Sequence, residues 1–196
     1  MKKKGGREKI LRIAMKLFAQ KGFFKTTVDD IARSAKIAKG TIYLYFKDKS
    51  GIYIEIIEEQ LNSALIDLTD INAEKMNSTQ KLRKIAEGWL THSIKFHQMF
   101  PMVSMENINQ ALELMKGIKL RIFPIIFNII TAIAGIIEEG IKNQEFRSVN
   151  PQVAALCFLN IIRTPFLVNI FASQKITCCE EILELFFNGL TNKKRS

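Results

Sequence analysis

The sequence is poor in the residues that build disulfide frameworks, metal sites and hydrolytic active sites. It has three cysteines, two histidines and four prolines among 196 residues. Cys157, Cys178 and Cys179 are too few and too unevenly spaced for a disulfide framework, and adjacent cysteines rarely bridge. Their ordinary use is as small buried hydrophobic residues in a reducing compartment. A redox-sensing pair at 178–179 is the alternative.

The sequence also lacks the motifs of the common enzyme classes. It contains no metal-ligand spacing, no Gly-x-Ser-x-Gly, no P-loop and no dinucleotide-binding fingerprint. His92 and His97 lie five residues apart, about 140° around a helix, so they are not expected to share a metal ion. We therefore expect neither an enzyme nor a cofactor.

No segment has the composition of a signal peptide or of a full membrane span. The N-terminal lysine run is followed by glycine and then by an amphipathic helix. The most apolar run, 122–137, includes Pro124, Asn128 and Thr131, and it falls short of the roughly 20 apolar residues that a span needs. The run is expected to form a buried helix, and the protein is expected in the cytoplasm.

The positive charge is concentrated in the N-terminal quarter of the chain. The net charge is +10. Residues 1–50 contain fourteen lysines and arginines against four acidic residues, whereas residues 51–190 contain twelve against fifteen. A localised basic region indicates a polyanionic partner. The lysine run 2–4 taken alone is also typical of a solubility tail.

The apolar spacing of this quarter predicts short helices with recognisable ends. A first helix at 7–21 has one apolar stripe and ends at Gly22. A second starts at Thr27, whose hydroxyl can cap the helix with Asp30 as its capping-box partner.

A third helix is predicted at 38–46, after a tight turn at 36–37. Its inner face carries Ile42 and Phe46, four residues apart. Two helices joined by a tight turn are the basis of a helix-turn-helix DNA reader.

The rest of the chain is predicted to be helical, without strands or internal repeats. A fourth helix, capped by Asp48, connects the N-terminal region to the remainder over about 48–70, and 71–78 interrupts the periodicity. Later helices are expected at 79–98, from Pro101, at 111–144 with an interruption near Pro124, at 151–171 with a bend at Pro165, and at 177–190.

The N-terminal pattern resembles the TetR (tetracycline-repressor-like) family of bacterial transcriptional regulators over about residues 7–57. The resemblance rests on many residues at fixed spacing. These are Ala14, Leu17, Phe18, Gly22, Phe23, Thr26, Thr27, Ile31, Ala32, Gly40, Thr41, Ile42, Tyr43, Tyr45, Phe46, Lys49 and Ile52. It implies an all-α fold. Residues 1–50 would form a three-helix helix-turn-helix DNA-binding domain, and residues 51–196 a helical ligand-binding and dimerisation bundle.

The resemblance also implies which residues contact DNA. Ala38, Lys39, Gly40 and Thr41 would face base edges, and Thr27, Val28, Tyr43, Tyr45 and Lys49 would contact phosphates or sugars. The chemistry agrees, because lysine can bond guanine O6 and N7 and glycine lets the backbone come close. The family often has serine or a similar capping residue where this chain has Ala38, so the third helix is expected to be capped less well. Packing in the core is the alternative for both tyrosines.

In the resembled family the C-terminal bundle holds a ligand pocket. The predicted pocket lies between the 79–98 helix, the Pro101 helix and the 111–144 helix. Its predicted lining is Trp89, His92, Ser93, Phe96, His97, Phe100, Met102, Met105, Phe123, Ile126, Phe127 and Arg163. Such a lining favours a lipophilic or aromatic effector. A filled core without a cavity is the alternative.

The family's dimer interface is expected on the last two helices. The predicted contacts are Cys157, Phe158 and Ile161 on one helix and Ile182 and Phe186 on the other, as in a four-helix bundle. Ordinary packing within one chain is the alternative.

The predicted function is therefore sequence-specific regulation of transcription. A repressor would bind a palindromic operator as a homodimer, and a small lipophilic effector that binds the two states differently would release it. A transcriptional activator and a non-specific basic DNA-binding protein stay open as alternatives.

Overall fold

Helices account for most of the chain that the structure describes. The computed structural model describes residues 2–97, 108–162, 164 and 179–191, with the backbone alone at 2–4, 90–97, 108–110 and 179. Within these residues no strand is formed, and extended pairing is limited to an isolated bridge between Phe146 and Thr191. The all-α fold expected from the sequence is confirmed.

Nine α-helices and one π-helical segment follow one another within these residues. They are α1 (Lys2–Lys21), α2 (Val28–Ala35), α3 (Lys39–Tyr43), α4 (Lys49–Ala73), α5 (Ser78–His97), α6 (Ile108–Gly117), the π-segment (Ile118–Ile122), α7 (Phe123–Lys142), α8 (Pro151–Ile161) and α9 (Cys179–Leu190).

The first helix begins at Lys2 rather than at residue 7 as predicted. Gly5 and Gly6 disfavour helix by their propensity, but the helix includes both of them. A Cβ on Gly6 would lie 3.0 Å from the Tyr45 hydroxyl oxygen, so the absent side chain leaves room for the tyrosine. Arg7 follows at once and pairs with Glu55 on α4.

Two other helices are shorter than predicted. The third helix ends at Tyr43, because the amide of Tyr45 turns back to the carbonyl of Ile42 at 3.0 Å and tightens the last turn. Asn150 caps α8 as expected, accepting the Val153 amide at 3.0 Å, but the helix ends at Ile161. The predicted continuation through Pro165 to 171 lies outside the described residues.

The interruption predicted near Pro124 takes the form of the π-segment. Proline has no amide hydrogen to give to the preceding turn, and the wider π-turn comes just before it. By length and composition the stretch Ala111–Lys142 would also suit a membrane span, a property that core helices of soluble proteins share.

The described chain divides into two compact units. The first comprises Met1–Asn62 and Lys95–Ile125. At its centre the rings of Phe18, Phe23 and Tyr53 pack with centroids 4.9–5.7 Å apart. All three side chains are almost fully buried, so the N-terminal helices share one aromatic core.

The second unit comprises Ser63–Ile94 and Ile126–Ser196. Its largest buried side chains include Phe146 and Phe158. The Glu145 carboxylate accepts the amides of Ser78 and Thr79, both at 3.2 Å, and thereby caps α5. The ammonium group of buried Lys81 pairs with Glu139 at 3.1 Å. These polar contacts hold the start of α5 to the end of α7.

Candidate nucleic-acid interface

A buried threonine holds the turn that leads into α2. Gly22 ends α1 in the left-handed conformation, with a φ of 79°, and its amide donates to the Phe18 carbonyl at 2.9 Å. Thr26 is fully buried, and its hydroxyl donates to the Gly22 carbonyl at 2.8 Å. The sequence pattern predicts a helix cap for Thr27 and no role for Thr26. The sign of this second role in the sequence is the pair of adjacent threonines at 26–27.

The capping box at the start of α2 is confirmed. The Thr27 hydroxyl accepts the Asp30 amide at 3.0 Å and donates to the Asp30 carboxylate at 2.8 Å. Hydrogen bonds from the Thr27 amide and hydroxyl hold the pKa of Asp30 below its usual value. The only hydroxyl proton of Thr27 already goes to Asp30. A phosphate contact by this hydroxyl, which stays a prediction, requires that proton to turn away.

The turn between α2 and α3 is tight, as predicted. Lys36 takes the left-handed conformation, with a φ of 53°, and its amide donates to the Arg33 carbonyl at 3.1 Å. The Ile37 amide returns to the Ala32 carbonyl at 3.1 Å. These bonds close the end of α2 and fix the point at which α3 begins.

The start of α3 presents an open surface. Ala38, Lys39 and Gly40 are exposed, Thr41 is half-buried and Ile42 is buried. Ala38 forms no side-chain cap, as its residue type implied. A Cβ on Gly40 would meet no atom within 4 Å, so packing within this protein does not require glycine there. The close approach of a DNA base or backbone to Gly40, which the sequence resemblance implies, stays a prediction.

The two tyrosines after this surface have different environments. Tyr43 is 50% exposed, which assigns it to the outer face rather than to the core. Tyr45 is half-buried, with its hydroxyl against Gly6 and its ring centroid 6.5 Å from that of Phe46. Tyr45 therefore contributes to packing, and its phosphate contact stays a prediction.

The side chain of Lys39 is already paired within the protein. Its ammonium group lies 2.7 Å from a carboxylate oxygen of Asp29, and the hydrogen bond that it donates to this carboxylate raises the pKa of Lys39. Val28, beside Asp29 at the start of α2, is half-buried. Other cations of the N-terminal region are exposed: Arg12, Lys16, Lys21, Lys25, Arg33, Lys36 and Lys47.

Lys49 is held by the protein itself rather than extended into solvent. Its ammonium group donates to the carbonyls of Phe23 and Phe24, at 2.9 and 3.4 Å, and lies 4.4 Å from the centre of the Phe23 ring. Burial lowers the pKa of Lys49. A phosphate contact was predicted for this residue. The geometry gives it a further structural role, because it ties the start of α4 to the turn between α1 and α2.

Replacement of Lys49 with methionine should therefore lower the free energy of unfolding in the absence of DNA. We expect a loss of about 1–2 kcal/mol, since two part-buried carbonyls lose their charged donor. Urea denaturation of the variant and of Lys47→Met, which removes an exposed neighbouring charge, measures the difference. Equal stability of both variants would leave Lys49 with a phosphate contact alone.

The predicted effector pocket is described only in part. Trp89 is half-buried on α5, and Phe123 and Phe127 are 50% and 68% exposed on α7. The side chains of His92, Ser93, Phe96 and His97 lie outside the described residues, as do Phe100, Met102, Met105 and Arg163. In the part of the chain that is described, no group of three or more potential ligands gathers at a metal site. The pocket stays a prediction.

The predicted dimer face is only partly available to a partner. Phe158 is fully buried and Phe186 is 8% exposed, and their ring centroids are 5.3 Å apart. The structure thus assigns these two residues to the core of their own chain, because α8 and α9 pack on each other through them. Cys157 is exposed, and Ile161 and Ile182 are half-buried.

The exposed faces of the same two helices carry other apolar side chains. Val153 and Leu156 on α8 are 57% and 45% exposed, and Leu185 on α9 is 71% exposed. Val153, Leu156 and Cys157 follow the spacing of one helical face. This face, rather than the buried phenylalanine pair, is the surface that a partner subunit could cover.

Known proteins share both the sequence pattern and the fold. Residues 10–56 match the family described as bacterial regulatory proteins, tetR family. The fatty acid metabolism regulator protein of Bacillus subtilis (strain 168) is 26% identical over 188 residues, which cover 94% of this chain and 95% of that protein. The biofilm operon icaADBC negative transcriptional regulator IcaR of Staphylococcus aureus (strain Newman) is 35% identical over 74 residues, 36% of this chain and 38% of IcaR.

A solved structure matches over nearly the whole length. The transcriptional regulator FadR from Bacillus subtilis, in complex with stearoyl-CoA, superposes with a TM-score of 0.72 at 24% identity. The match covers 93% of this chain and 98% of that one. The likeness therefore extends through the C-terminal helices, where the sequence alone indicated only a shared architecture.

Proposed function

Because this chain belongs to the TetR family of bacterial transcriptional regulators, we propose that it represses its target genes by binding a palindromic operator as a homodimer. It is a DNA-binding regulator and not an enzyme. Residues 1–50 are proposed to read the operator and residues 51–196 to control that reading. A cytoplasmic location follows from the proposal, because the operator is there.

The open surface at the start of α3 carries this proposal. Ile42 of α3 and Phe46 just after this helix are buried, while Ala38, Lys39 and Gly40 remain exposed after a fixed turn. A recognition helix needs this combination, because a fixed backbone position and an exposed outer surface let the helix enter the major groove. The exposed cations around it supply attraction to phosphates.

Dimerisation is proposed because one short helix reads few base pairs. A twofold dimer places two such helices on two half-sites about one helical turn or more apart, which raises both affinity and specificity. The exposed apolar side chains of α8 and α9 support an interface there, since they would be covered by the same face of a second copy.

The effector is proposed to be a long-chain acyl-CoA. The Bacillus subtilis relative is named as a regulator of fatty acid metabolism, and the similar FadR structure contains stearoyl-CoA. Within this chain, Phe123 and Phe127 offer large apolar side chains that an acyl chain could cover. Burial of apolar surface at about 25 cal/mol per Å² makes a long chain a stronger ligand than a short one.

Selection of bound sequences from a random duplex pool, at physiological salt, tests the DNA-binding part. A recovered palindrome is the expected result, and its half-site spacing gives the separation of the two recognition helices. Recovery of unenriched sequence from protein freed of ligand would favour the alternative of a non-specific basic binder, with a steep salt dependence and little preference.

Titration with stearoyl-CoA tests the effector, with coenzyme A as the matched control. The acyl-CoA is expected to release the selected operator, and coenzyme A is not, because only the acyl chain fills the apolar site. Tight binding of stearoyl-CoA that leaves operator affinity unchanged would exclude it as the effector, since it would then favour neither state. Transcription from a promoter that overlaps the operator separates a repressor from an activator.

A further inference from the structure

An ion pair links the two helices of the helix-turn-helix on their exposed side. The Lys39 ammonium group lies 2.7 Å from the Asp29 carboxylate, and the side chains are 49% and 55% exposed. Asp29 stands in the first turn of α2, and Lys39 is the first residue of α3. Exposed pairs of this kind contribute little to folding. The effect of this ion pair is instead to restrict the position of the Lys39 ammonium group.

We propose that Asp29 determines specificity by holding the Lys39 ammonium group toward base edges and away from phosphates. The inference rests on the proposed function, in which the start of α3 faces the major groove. It gives Asp29, an exposed acidic side chain in a region with many exposed cations, a role in discriminating between DNA sequences. The discrimination is between two kinds of DNA duplex, the specific operator and random sequence.

A lysine whose ammonium group is not held in place raises the affinity for every DNA sequence about equally. Its ammonium group is a point charge on a flexible stem, and it binds any phosphate within reach. Each such contact adds about 0.9 to the logarithmic salt slope of binding. Pairing with Asp29 occupies one of the three N–H donors and restricts the position of the group. The two donors that remain suffice for O6 and N7 of guanine.

The helix dipoles at the N-termini of α2 and α3 determine which member of the Asp29–Lys39 pair positions the other. A carboxylate is stabilised in the first turn of α2 by the amides and dipole of that helix. A cation gains nothing from the N-terminus of α3, where Ala38 supplies no cap. The lysine is therefore the member that is drawn into place.

The test replaces Asp29 with asparagine, which keeps the shape of the side chain and removes its charge. Affinities of the full-length protein for the selected operator and for a random duplex of equal length are measured over a range of salt concentrations. We expect the ratio of the two affinities to fall by about fivefold. The salt slope for random DNA should steepen by about 1.8, since one lysine in each of the two protomers becomes free to bind phosphate and each contact adds about 0.9.

Glu8→Gln is the matched control, because it makes the same change of net charge at an exposed residue of α1. It is expected to raise affinity for both duplexes by one common factor and to leave their ratio unchanged. An equal fall of the ratio in both variants would overturn the proposal in favour of a general charge effect.

A second comparison uses Lys39→Gln as the background. Asp29→Asn should then change neither the ratio nor the slope, because the group that it positions is gone. A persisting effect would mean that Asp29 acts on DNA directly, and the proposal would be overturned. Wild-type protein that does not prefer any operator would refute the proposed function instead. Wild-type protein that discriminates, with an Asp29→Asn variant that discriminates equally well, refutes this inference alone.

Discussion

Leu185→Lys is expected to turn the dimer into a monomer and to lower affinity for the palindromic operator by about 100-fold or more. Leu185 is 71% exposed on α9, so its own chain leaves most of the side chain uncovered. A lysine there would place a charged group within the proposed apolar interface, where its burial against a second copy is costly. Operator affinity falls because the second half-site no longer binds as part of the same molecule.

Sedimentation equilibrium and operator titration measure the two effects. Leu112→Lys is the control, since Leu112 is 57% exposed on α6 and the same substitution there leaves the proposed interface intact. A duplex with a single half-site should bind Leu185→Lys as well as it binds the wild type. A Leu185→Lys protein that remains dimeric would place the interface elsewhere.

The features of the helix-turn-helix region that could be predicted from the sequence are those set by hydrogen bonds between residues close together in the chain. The capping box of Thr27 and Asp30, the left-handed end at Gly22 and the missing cap at Ala38 each depend on residues within a few positions. Such features are decided by hydrogen bonds that form inside one turn. The structure has all three where the sequence indicated them.

Contacts between distant residues explain what could not be predicted. In the extended start of α1, Gly6 lies against Tyr45, a contact that only the folded arrangement brings together. The environment of Lys49 depends on two carbonyls more than twenty residues earlier in the chain. The pairing of Lys39 with Asp29 needs the angle that the turn between α2 and α3 imposes.

The two apolar faces of α8 show the limit of periodicity most clearly. One face contains Ala154, Ala155 and Phe158, which are buried in their own chain, and another contains Val153 and Leu156, which are exposed. In a helix that is apolar on more than one face, the spacing of the apolar residues does not identify which face is buried in its own chain. Periodicity identifies apolar residues there, but it does not say which neighbour covers them.

Phe158→Ala is expected to lower the free energy of unfolding by about 3–4 kcal/mol. Phe158 is fully buried against Phe186, so truncation removes a ring contact and leaves a cavity between α8 and α9. Phe158→Leu should cost less, because it keeps more of the volume. Chemical denaturation at one fixed protein concentration measures the loss, since dimerisation makes stability depend on concentration.

The comparison with Leu185→Lys separates core from interface. Leu185→Lys should remain folded and lose its partner, because the substituted side chain faces outward. Phe158→Ala should lose stability even where the protein is dilute enough to be monomeric, because the cavity lies within one chain. If the Phe158→Ala protein keeps its stability as a monomer but no longer dimerises, Phe158 belongs to the dimer interface, as its spacing in the sequence predicts. The packing of α8 on α9 would then have to differ between the free and the paired chain.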